Sequence, residues 1–510
     1  MPDWTYHPLR GAAAAVVGTR RSQRTALRLL AAVGSRPVGA RLISRGFGHR
    51  HPPERLAGEL AGVPVAVRLG ISVPPALVHE TVRAMAPLGA GVVEVAPVAA
   101  ADVETVRAAA AGRSIPLVVR TADPDAEAAL APHVDGFTRD DEPHVVRVSD
   151  PSVTTAAAAL DDPKAVVLAR PGVLVEAGPG WFARVTEAAT PTAPAPGLRD
   201  VGRDPRRWPG WVWALLVGLG MIGAGLGAAA ITLGPVLLWY DRDYLGMTLD
   251  ELHAANHHLV HFLQHDRITM AGTMVSIGAL YTGLAVGGIR RGRAWAREAY
   301  LLSGAIGFPT LFYFLATGFV EPLHTATTLV LFPMFVAAVR RAPHTPRWRR
   351  MPEGPERERR RALVGQLLLI VTGAGLFAGG TVISVVGLTG VFVPSDLVFL
   401  GADTQALEAV NPKLVSFVAH DRAGFGGALM AAAVAITLLS AWGWGRGEAW
   451  VFWSLATAAA FGFLPAVVVH GAIHYTDFLH LAPVYIGILA TATGLYLARP
   501  YLCARKPDSL

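Results

Sequence analysis

Charge and cysteine are scarce in this sequence of 510 residues, which has 16% charged residues and one cysteine, Cys503. The single cysteine excludes an internal disulfide framework and gives no basis for a thiol catalyst. Average soluble domains carry about 25% charged residues, so a single soluble enzyme is not expected. No P-loop, no Gly-x-Gly-x-x-Gly in a strand-to-helix context and no Cys-x-x-Cys pair occur. The 52% hydrophobic fraction excludes disorder.

Long apolar stretches occupy the chain after the first two hundred residues. Trp211–Tyr240 contains no charged residue and is long enough to cross a bilayer, which takes about 20 apolar residues. The segment 325–339 is short for a span, and 363–393 is long enough to tilt or break. We predict eight spans, near residues 211–240, 268–289, 298–320, 325–339, 363–393, 423–444, 449–470 and 481–498.

The basic residues of the loops predict an orientation. With eight spans, the arginine-rich loops fall on one side, the richest being Arg340 to Arg361. The positive-inside rule then places both termini in the cytoplasm, in a multi-pass protein of the inner (cytoplasmic) membrane. No signal peptide is expected, because Met1–Arg10 is not followed by a clean apolar core and a cleavage site. The net charge of +7 predicts contact with anionic lipid and requires no nucleic-acid partner.

An internal repeat with an offset of 155 residues runs through the membrane half. Leu259–Phe262 corresponds to Leu414–Phe417, and the His-Asp-Arg element of residues 265–267 corresponds to that of residues 420–422. One residue later in register, an acidic-x-Leu-His element at 321–324 answers another at 477–480. We predict an all-α membrane domain of two parallel four-helix repeats, related by an axis along the membrane normal.

The repeated polar residues form the candidate site. Imidazole beside carboxylate suits metal ligation, and it equally suits proton transfer near neutral pH. Metal candidates are the four repeated histidines, and heme ligation from different spans is a further option. The alternative is a set of helix caps whose repetition reflects duplication only. The candidate residues are His265, Asp266, Arg267, Glu321, His324, His420, Asp421, Arg422, Asp477 and His480.

Four histidines recur every four residues at positions 253, 257, 261 and 265. If residues 249–264 form one helix, these side chains make a slowly drifting stripe on it. Histidines at this spacing can bind zinc or copper. The competing interpretation, which we favour, is the polar stripe of an interfacial amphipathic helix.

The first half alternates aliphatic runs with alanine-rich stretches, which predicts βαβ units and a parallel sheet. Helices are predicted at Ala76–Ala86, Ala101–Ala111 and Ala126–Ala131. Strands are predicted at Val63–Leu69, Val92–Val95, Ile115–Val119, His144–Val148, Ala165–Leu168 and Val173–Val175. The predicted domains are a helical segment (1–59), a reduced barrel-like cytoplasmic domain (60–189), a Pro/Ala-rich linker (190–209), membrane repeat 1 (210–340), a basic loop (341–362), membrane repeat 2 (363–500) and a tail (501–510).

Three stretches of this half carry a resemblance. The chain opens with Tyr6-His7-Pro8-Leu9, Leu88–Pro97 reads Leu-Gly-Ala-Gly-Val-Val-Glu-Val-Ala-Pro, and Pro171–Gly180 reads Pro-Gly-Val-Leu-Val-Glu-Ala-Gly-Pro-Gly. These stretches resemble class 2, quinone-linked dihydroorotate dehydrogenase. The resemblance implies a TIM-barrel fold, FMN, a quinone acceptor and an N-terminal segment that associates with the membrane.

Departures from that family bear on activity. The family's flavin-contacting lysine falls near Arg68–Val73, where this chain has no lysine. Nothing between Arg113 and Val175 matches the loop that carries its catalytic serine. The domain is also shorter than the roughly 200 residues or more of a full barrel. We therefore expect a degenerate, catalytically inactive barrel, with FMN bound only if the barrel is active.

Three functions follow as hypotheses. The first is an inactive barrel fused to a duplicated membrane module, whose histidine-rich extracytoplasmic side holds a site for redox, metal or quinone chemistry. The second is an active quinone-dependent flavoenzyme of dihydroorotate dehydrogenase type. The third is a transporter or channel built from parallel repeats. Neither the substrate nor the oligomeric state follows from the sequence.

Overall fold

A computed structural model describes residues 3–46, 53–190, 195–311, 318–341 and 354–505. The chain divides into two compact units. We call the first the α/β unit, which comprises Met1–Ala193, Trp348–Leu363 and Lys506–Leu510. We call the second the membrane unit, which comprises Pro194–Arg347 and Val364–Arg505.

The α/β unit alternates short strands with helices, as the alternating sequence pattern predicts. Its helices are α1 (Asp3–Val17), α2 (Thr19–Gly34), α3 (Pro37–Gly46), α4 (Val78–Leu88), α5 (Val103–Ala110), α6 (Pro124–Leu130), α7 (Val153–Ala159), α8 (Pro171–Ala177) and α9 (Trp181–Ala189). Its strands are β1 (Gly58–Leu60), β2 (Val63–Val65), β3 (Leu69–Val73), β4 (Val92–Val95), β5 (Leu117–Arg120), β6 (Gly136–Thr138), β7 (Val145–Val148) and β8 (Val166–Ala169).

Six of these strands form one parallel sheet in the order β6-β5-β4-β3-β8-β7. Ile71 of β3 pairs with Val93 of β4, and it also pairs with Ala169 of β8. All residues of β3, β4 and β8 are buried, as expected for parallel strands covered on both faces. The pairing of β3 with β8 gives the sheet half-barrel topology, with β6 and β7 as its edges.

Two strand predictions were wrong in detail. Val173–Val175 lies inside α8, where Pro171 occupies the first helical turn, a position that proline favours because its missing N–H needs no partner there. The predicted strand Val63–Leu69 is divided between β2, which pairs antiparallel with β1, and the start of β3. Strand Gly136–Thr138 was not predicted, because a run of three residues carries too little periodicity.

The membrane unit is helical among its described residues, and the same order of long and short helices occurs twice. The first set is α10 (Gly210–Leu233), α11 (Trp239–Leu245), α12 (Leu249–Ala255), α13 (His257–Gly283), α14 (Ala294–Leu311) and α15 (Pro322–Arg340). The second set is α16 (Glu356–Leu388), α17 (Pro394–Leu400), α18 (Thr404–Val410), α19 (Leu414–Trp442), α20 (Ala449–Ala472) and α21 (Phe478–Leu502). The first turns of α16 belong to the α/β unit.

Seven described helices are long and apolar enough to cross a membrane, which is compatible with a multi-pass membrane protein. They include α15, which contains the short predicted span 325–339, and α16, which contains most of the long predicted span 363–393. The eighth predicted span, 298–320, corresponds to α14, which is not among the seven, and 312–317 lie outside the described residues. The first span ends at Leu233 instead of Tyr240 because Gly234 and Pro235 interrupt the helix.

Glycines allow the long helices to approach closely. A Cβ on Gly278 of α13 would lie 2.6 Å from the carbonyl oxygen of Gly218 on α10. In the second set, a Cβ on Gly426 of α19 would lie 2.7 Å from the carbonyl oxygen of Gly380 on α16. Small residues permit such backbone contact between membrane helices. These contacts help to hold α13 and α19, the helices that carry the two His-Asp-Arg elements.

Candidate metal centres

The His-Asp-Arg elements lie inside helices. Helix α13 is capped by Asn256, whose side chain accepts a hydrogen bond from the backbone N–H of Leu259 at 3.1 Å. Asp266 follows in the third turn and is 3% exposed. A carboxylate so far from the helix start cannot satisfy the free N–H groups of the first turn. The interpretation of these elements as helix caps was therefore wrong.

The two elements meet each other through a reciprocal pair of salt bridges. Arg267 donates from Nε to Asp421 at 2.8 Å, and Arg422 donates from Nε to Asp266 at 3.2 Å. All four side chains are buried. Such a charged interface is expected to be strongly destabilised when one partner is removed. The structure thus pairs each of these arginines with the repeated aspartate of the other element.

Each arginine also contacts a second aspartate that was not among the predicted site residues. Arg267 lies 3.5 Å from Asp241, and Arg422 lies 2.6 Å from Asp396. The two aspartates are themselves 155 residues apart, so the repeat contained the signal that would have found them. Each arginine therefore bridges two carboxylates, and the interface holds four buried acidic groups against two basic ones.

Three histidines gather beside Asp266. The imidazole centroids of His265 and His470 are 4.2 Å apart, and that of His480 lies 5.3 Å from His470. One ring nitrogen of each residue lies within 4.8 Å of those of the other two. We call His265, His470 and His480 the all-histidine cluster.

The ring orientations in this cluster follow from their neighbours. Nδ1 of His470 lies 2.6 Å from the carbonyl oxygen of Ala466. A carbonyl only accepts hydrogen bonds, so Nδ1 carries the proton and Nε2 keeps its lone pair. Nδ1 of His265 lies 3.1 Å from Oδ1 of Asp266, which favours the same tautomer. The proton positions are assigned from these contacts.

The third ring is oriented in the same way through a tyrosine. Tyr475 donates its hydroxyl proton to Asp396 at 2.7 Å. Its oxygen can then accept from Nδ1 of His480, which lies 3.3 Å away. Nδ1 of His470 and of His480 is thus within hydrogen-bond distance of a protein group, and Nδ1 of His265 lies beside the Asp266 carboxylate, which makes Nε2 the available ligand atom. Metal-binding histidines characteristically have their second nitrogen held by a carboxylate, carbonyl or other acceptor.

A second cluster combines two histidines with a carboxylate. Glu321 contacts Nδ1 of His324 through Oε2 and accepts a hydrogen bond from the hydroxyl of Tyr240 through Oε1. The rings of His324 and His420 are 5.5 Å apart. Potential ligand atoms of the three residues all lie within 4.8 Å of one another. We call Glu321, His324 and His420 the carboxylate cluster.

The structure therefore places the four repeated histidines in two clusters, not in one shared site. His265 meets His480, and His420 meets His324, so each cluster combines helices from both sets. Asp477 belongs to neither cluster. Its side chain caps α21 by accepting from the backbone N–H of His480 at 2.7 Å. His470 joins the all-histidine cluster without having been a predicted site residue.

Cavities lie beside the carboxylate cluster. One of about 220 Å³ is lined by residues that include Tyr240, Asp241, Arg267, Glu321 and His324. Its walls are completed by small apolar residues of α10 and by methionines of α13. A second cavity, of about 60 Å³, is lined by His324 and by apolar residues that include Met221, Met270 and Met274.

The predicted histidine stripe is interrupted. Asn256 separates α12 from α13, so 249–264 is not one helix, because the Asn side chain starts a new helix there. Three rings nevertheless gather at the surface, with centroids 4.3 Å apart for His253 and His257 and 4.7 Å for His257 and His261. His265 is separate from them, buried in the all-histidine cluster.

A further buried network lies at the carboxyl ends of the strands in the α/β unit. Glu94 accepts hydrogen bonds from Ser72 at 2.5 Å, Thr138 at 2.8 Å and Arg147 at 2.7 Å. Burial raises the pKa of the Glu94 carboxyl, but the donors outweigh it and hold the pKa below its ordinary value of 4.5. This network is satisfied by the protein itself and needs no added ion.

Comparison with family models, with curated proteins and with solved structures finds no match for this chain. The functional argument therefore rests on the geometry of the two clusters.

Proposed function

We propose that the membrane unit is a metalloprotein that binds two transition-metal ions, one in each cluster. The observation that carries this proposal is the pair of ligand sets, each with three donor atoms within 4.8 Å of one another. Imidazole nitrogen and carboxylate oxygen are ligands that zinc, copper and iron accept.

The spacing is close to that of a loaded site. Two ligands at 2.0–2.1 Å from a tetrahedral zinc ion stand about 3.4 Å apart. Donor atoms separated by at most 4.8 Å would each move inward by less than about 1 Å to reach that distance. Side-chain rotation without helix movement is sufficient for a shift of this size.

The charge balance supports cations at this interface. Four aspartates face two arginines, and Glu321 adds a further carboxylate. Buried charges in proteins are normally paired or coordinate a metal. Carboxyl groups therefore outnumber guanidinium groups by five to two, and bound cations would offset this excess of acidic groups. The groups that enter this balance are Asp241, Asp266, Asp396, Asp421, Glu321, Arg267 and Arg422.

We further propose that the two helix sets are parallel repeats that arose by duplication, with both clusters toward the extracytoplasmic side and both termini cytoplasmic. Corresponding contacts support this arrangement. Asn256 donates to the carbonyl of Leu400 at 3.0 Å, and Asn411 donates to the carbonyl of Leu245 at 2.7 Å. The loop arginines support the orientation.

The test is metal stoichiometry on the full chain purified in detergent. Metal-free protein is loaded with Co²⁺, desalted and analysed by mass spectrometry and visible absorption. We expect two ions per chain in the wild type and none in the double variant His265→Ala/His420→Ala. The matched control is His253→Ala/His257→Ala/His261→Ala, which removes the surface histidines and should keep both ions.

Two results would contradict the proposal. One is that all the Co²⁺ bound by the wild type is lost in the surface-histidine control, which would assign the ions to the surface histidines. The other is a correctly folded double variant that retains both ions. Circular dichroism and gel filtration of each variant establish that the helices and the monodisperse state are intact.

A second candidate function rests on the α/β unit. A cavity of about 580 Å³ lies between its N-terminal helices and the end of β3, with Arg20, Arg21 and Arg24 among mainly apolar lining residues. An apolar cavity with a few polar groups fits a quinone-type ligand, and quinone-linked dihydroorotate oxidation is the activity that the sequence resemblance implies. Flavin absorbance of the purified protein tests it. Colourless protein that is inert toward dihydroorotate and a quinone would contradict it.

A further inference from the structure

We infer that the carboxylate cluster is an open metal site, whose ion keeps coordination positions for a small exogenous ligand, whereas the all-histidine cluster is closed. This inference rests on the proposed metal binding. Three protein ligands leave a coordination position in either cluster, so access from a cavity decides whether an exogenous ligand reaches the ion. Two histidines and one carboxylate leave several positions of an octahedral ion free, the arrangement of non-heme Fe²⁺ sites.

Access distinguishes the two clusters. The cavity of about 220 Å³ is lined directly by Glu321 and His324, so a ligand in it can reach an ion held by these side chains. This volume accommodates several waters. Gly227 of α10 also lines the cavity, and a Cβ at this position would meet no atom within 4 Å.

The cavity walls define the class of ligand. Three carboxylates, those of Asp241, Asp421 and Glu321, line it together with one guanidinium, that of Arg267. Asp241 is 1% exposed, and its Oδ1 has no hydrogen-bond partner among the described residues. A buried carboxylate oxygen without a donor is costly. The cavity therefore suits a small molecule that is neutral or cationic and can donate a hydrogen bond.

The all-histidine cluster is covered by an aromatic ring. Tyr475 is 3% exposed, and its ring centroid lies 4.6 Å from His480, 5.6 Å from His470 and 5.8 Å from His265. Phe319 stands near the other cluster, 5.0 Å from His420. Tyr475 thus packs on all three ligands of its cluster, which limits the access of an exogenous ligand to them.

Nitric oxide is a suitable probe because it is small and uncharged. The full chain in detergent is loaded anaerobically with Fe²⁺, its iron content is measured, and nitric oxide is added while electron paramagnetic resonance is recorded. We expect two irons per chain but one iron–nitrosyl signal. The signal should persist in His265→Ala and vanish in His420→Ala. Azide, being anionic, should bind the same iron more weakly than nitric oxide does.

A cavity-filling variant tests the route of access. Gly227→Leu should weaken nitric oxide binding by about tenfold, because the added side chain occupies the cavity, while both irons stay bound. Gly223→Leu is the matched control: it lies one turn earlier on α10, and a Cβ there also meets no atom within 4 Å. It should leave nitric oxide binding unchanged.

The outcomes separate this inference from the proposed function. Two nitrosyl signals per chain, no signal with two irons bound, or a signal lost in His265→Ala and kept in His420→Ala would each overturn the open-site assignment while leaving metal binding intact. Equal affinity in Gly227→Leu and Gly223→Leu would overturn the cavity as the route. Absence of bound iron would instead overturn the metalloprotein proposal itself.

Discussion

The two clusters use equivalent positions of the repeat but differ in their third ligand. His265 corresponds to His420, and His480 corresponds to His324 with the one-residue shift. The all-histidine cluster then takes His470 from α20, whereas the carboxylate cluster takes Glu321 from the start of α15. A pair of histidines is thus common to both sites, and the residue added to each pair sets its chemistry.

The side chains that surround the two clusters also differ. Tyr240 donates to Glu321 in one cluster, and its counterpart at position 395 is a serine, Ser395. In the other cluster Tyr475 lies 3.0 Å from Ser395 and covers the histidines. A bulky ring beside one cluster and a cavity beside the other are the differences on which the inferred closed and open sites depend.

Loss of a repeated histidine should have the largest effect. We expect His265→Ala to remove the ion of the all-histidine cluster only, and His420→Ala to remove that of the carboxylate cluster only. Removal of a residue that only hydrogen-bonds a metal ligand lowers metal affinity by up to roughly 100-fold. Removal of the ligand itself should lower it further. Metal content and Co²⁺ absorption measure it. Loss of both ions in either single variant would mean that the clusters are one coupled centre.

The two bridging arginines, Arg267 and Arg422, should contribute equally to the stability of the folded protein. Arg267→Met and Arg422→Met each leave two buried carboxylates without their cation, which should destabilise the protein by about 3–5 kcal/mol. Denaturation in detergent measures the change, with Arg107→Met, which breaks an exposed pair with Glu104, as a control worth at most about 1 kcal/mol. A large difference in the free energy of unfolding between Arg267→Met and Arg422→Met would contradict the equivalence of the two arginines.

The Glu94 network is an internal reference without a metal. Because its pKa is lowered in the folded state, its stabilisation is present above pH 4.5 and is lost as pH falls below that value. Glu94→Gln should cost about 2–4 kcal/mol at neutral pH and abolish this acid dependence of unfolding. Metal binding should not change in this variant, because Glu94 belongs to neither cluster. Loss of bound metal in Glu94→Gln would contradict the distinction.

The two tyrosines should have the smallest effects, each confined to its own cluster. Tyr475→Phe removes the acceptor for His480 and should weaken the ion of the all-histidine cluster by about tenfold. Tyr240→Phe removes the donor to Glu321 and should change only the ion of the carboxylate cluster, by a similar or smaller factor. Separate titrations in His420→Ala and His265→Ala backgrounds resolve the two ions. An effect on the opposite cluster would contradict the assignment.

Much of the fold could be predicted because it follows local patterns. Apolar length predicted α15 and α16 although both were unusual, and alternation predicted the parallel sheet. The exceptions have local causes as well: Gly234 and Pro235 end the first span early, and Pro171 starts a helix where a strand was expected. Asn256 divides the predicted helix because its side chain caps the next one.

The site was harder to predict than the fold. The repeat identified the histidine, aspartate and arginine positions, and it also contained Asp241 and Asp396, which were not recognised. His470 has no such counterpart in the candidate set, and its role depends on the contact of α20 with α13. Asp477 and Glu321 are equivalent as helix caps, each accepting from the backbone N–H three residues later, but only Glu321 also belongs to a cluster.

By itself, the sequence determined the division into an α/β part and a membrane part, the positions of most long helices, and the list of paired polar residues. Only the tertiary structure decided that each histidine pair is made across the two sets, and that one cluster is covered while the other faces a cavity. The physical reason is that a recurring sequence pattern identifies equivalent positions, whereas the contacts between them depend on helix packing between segments far apart in the chain.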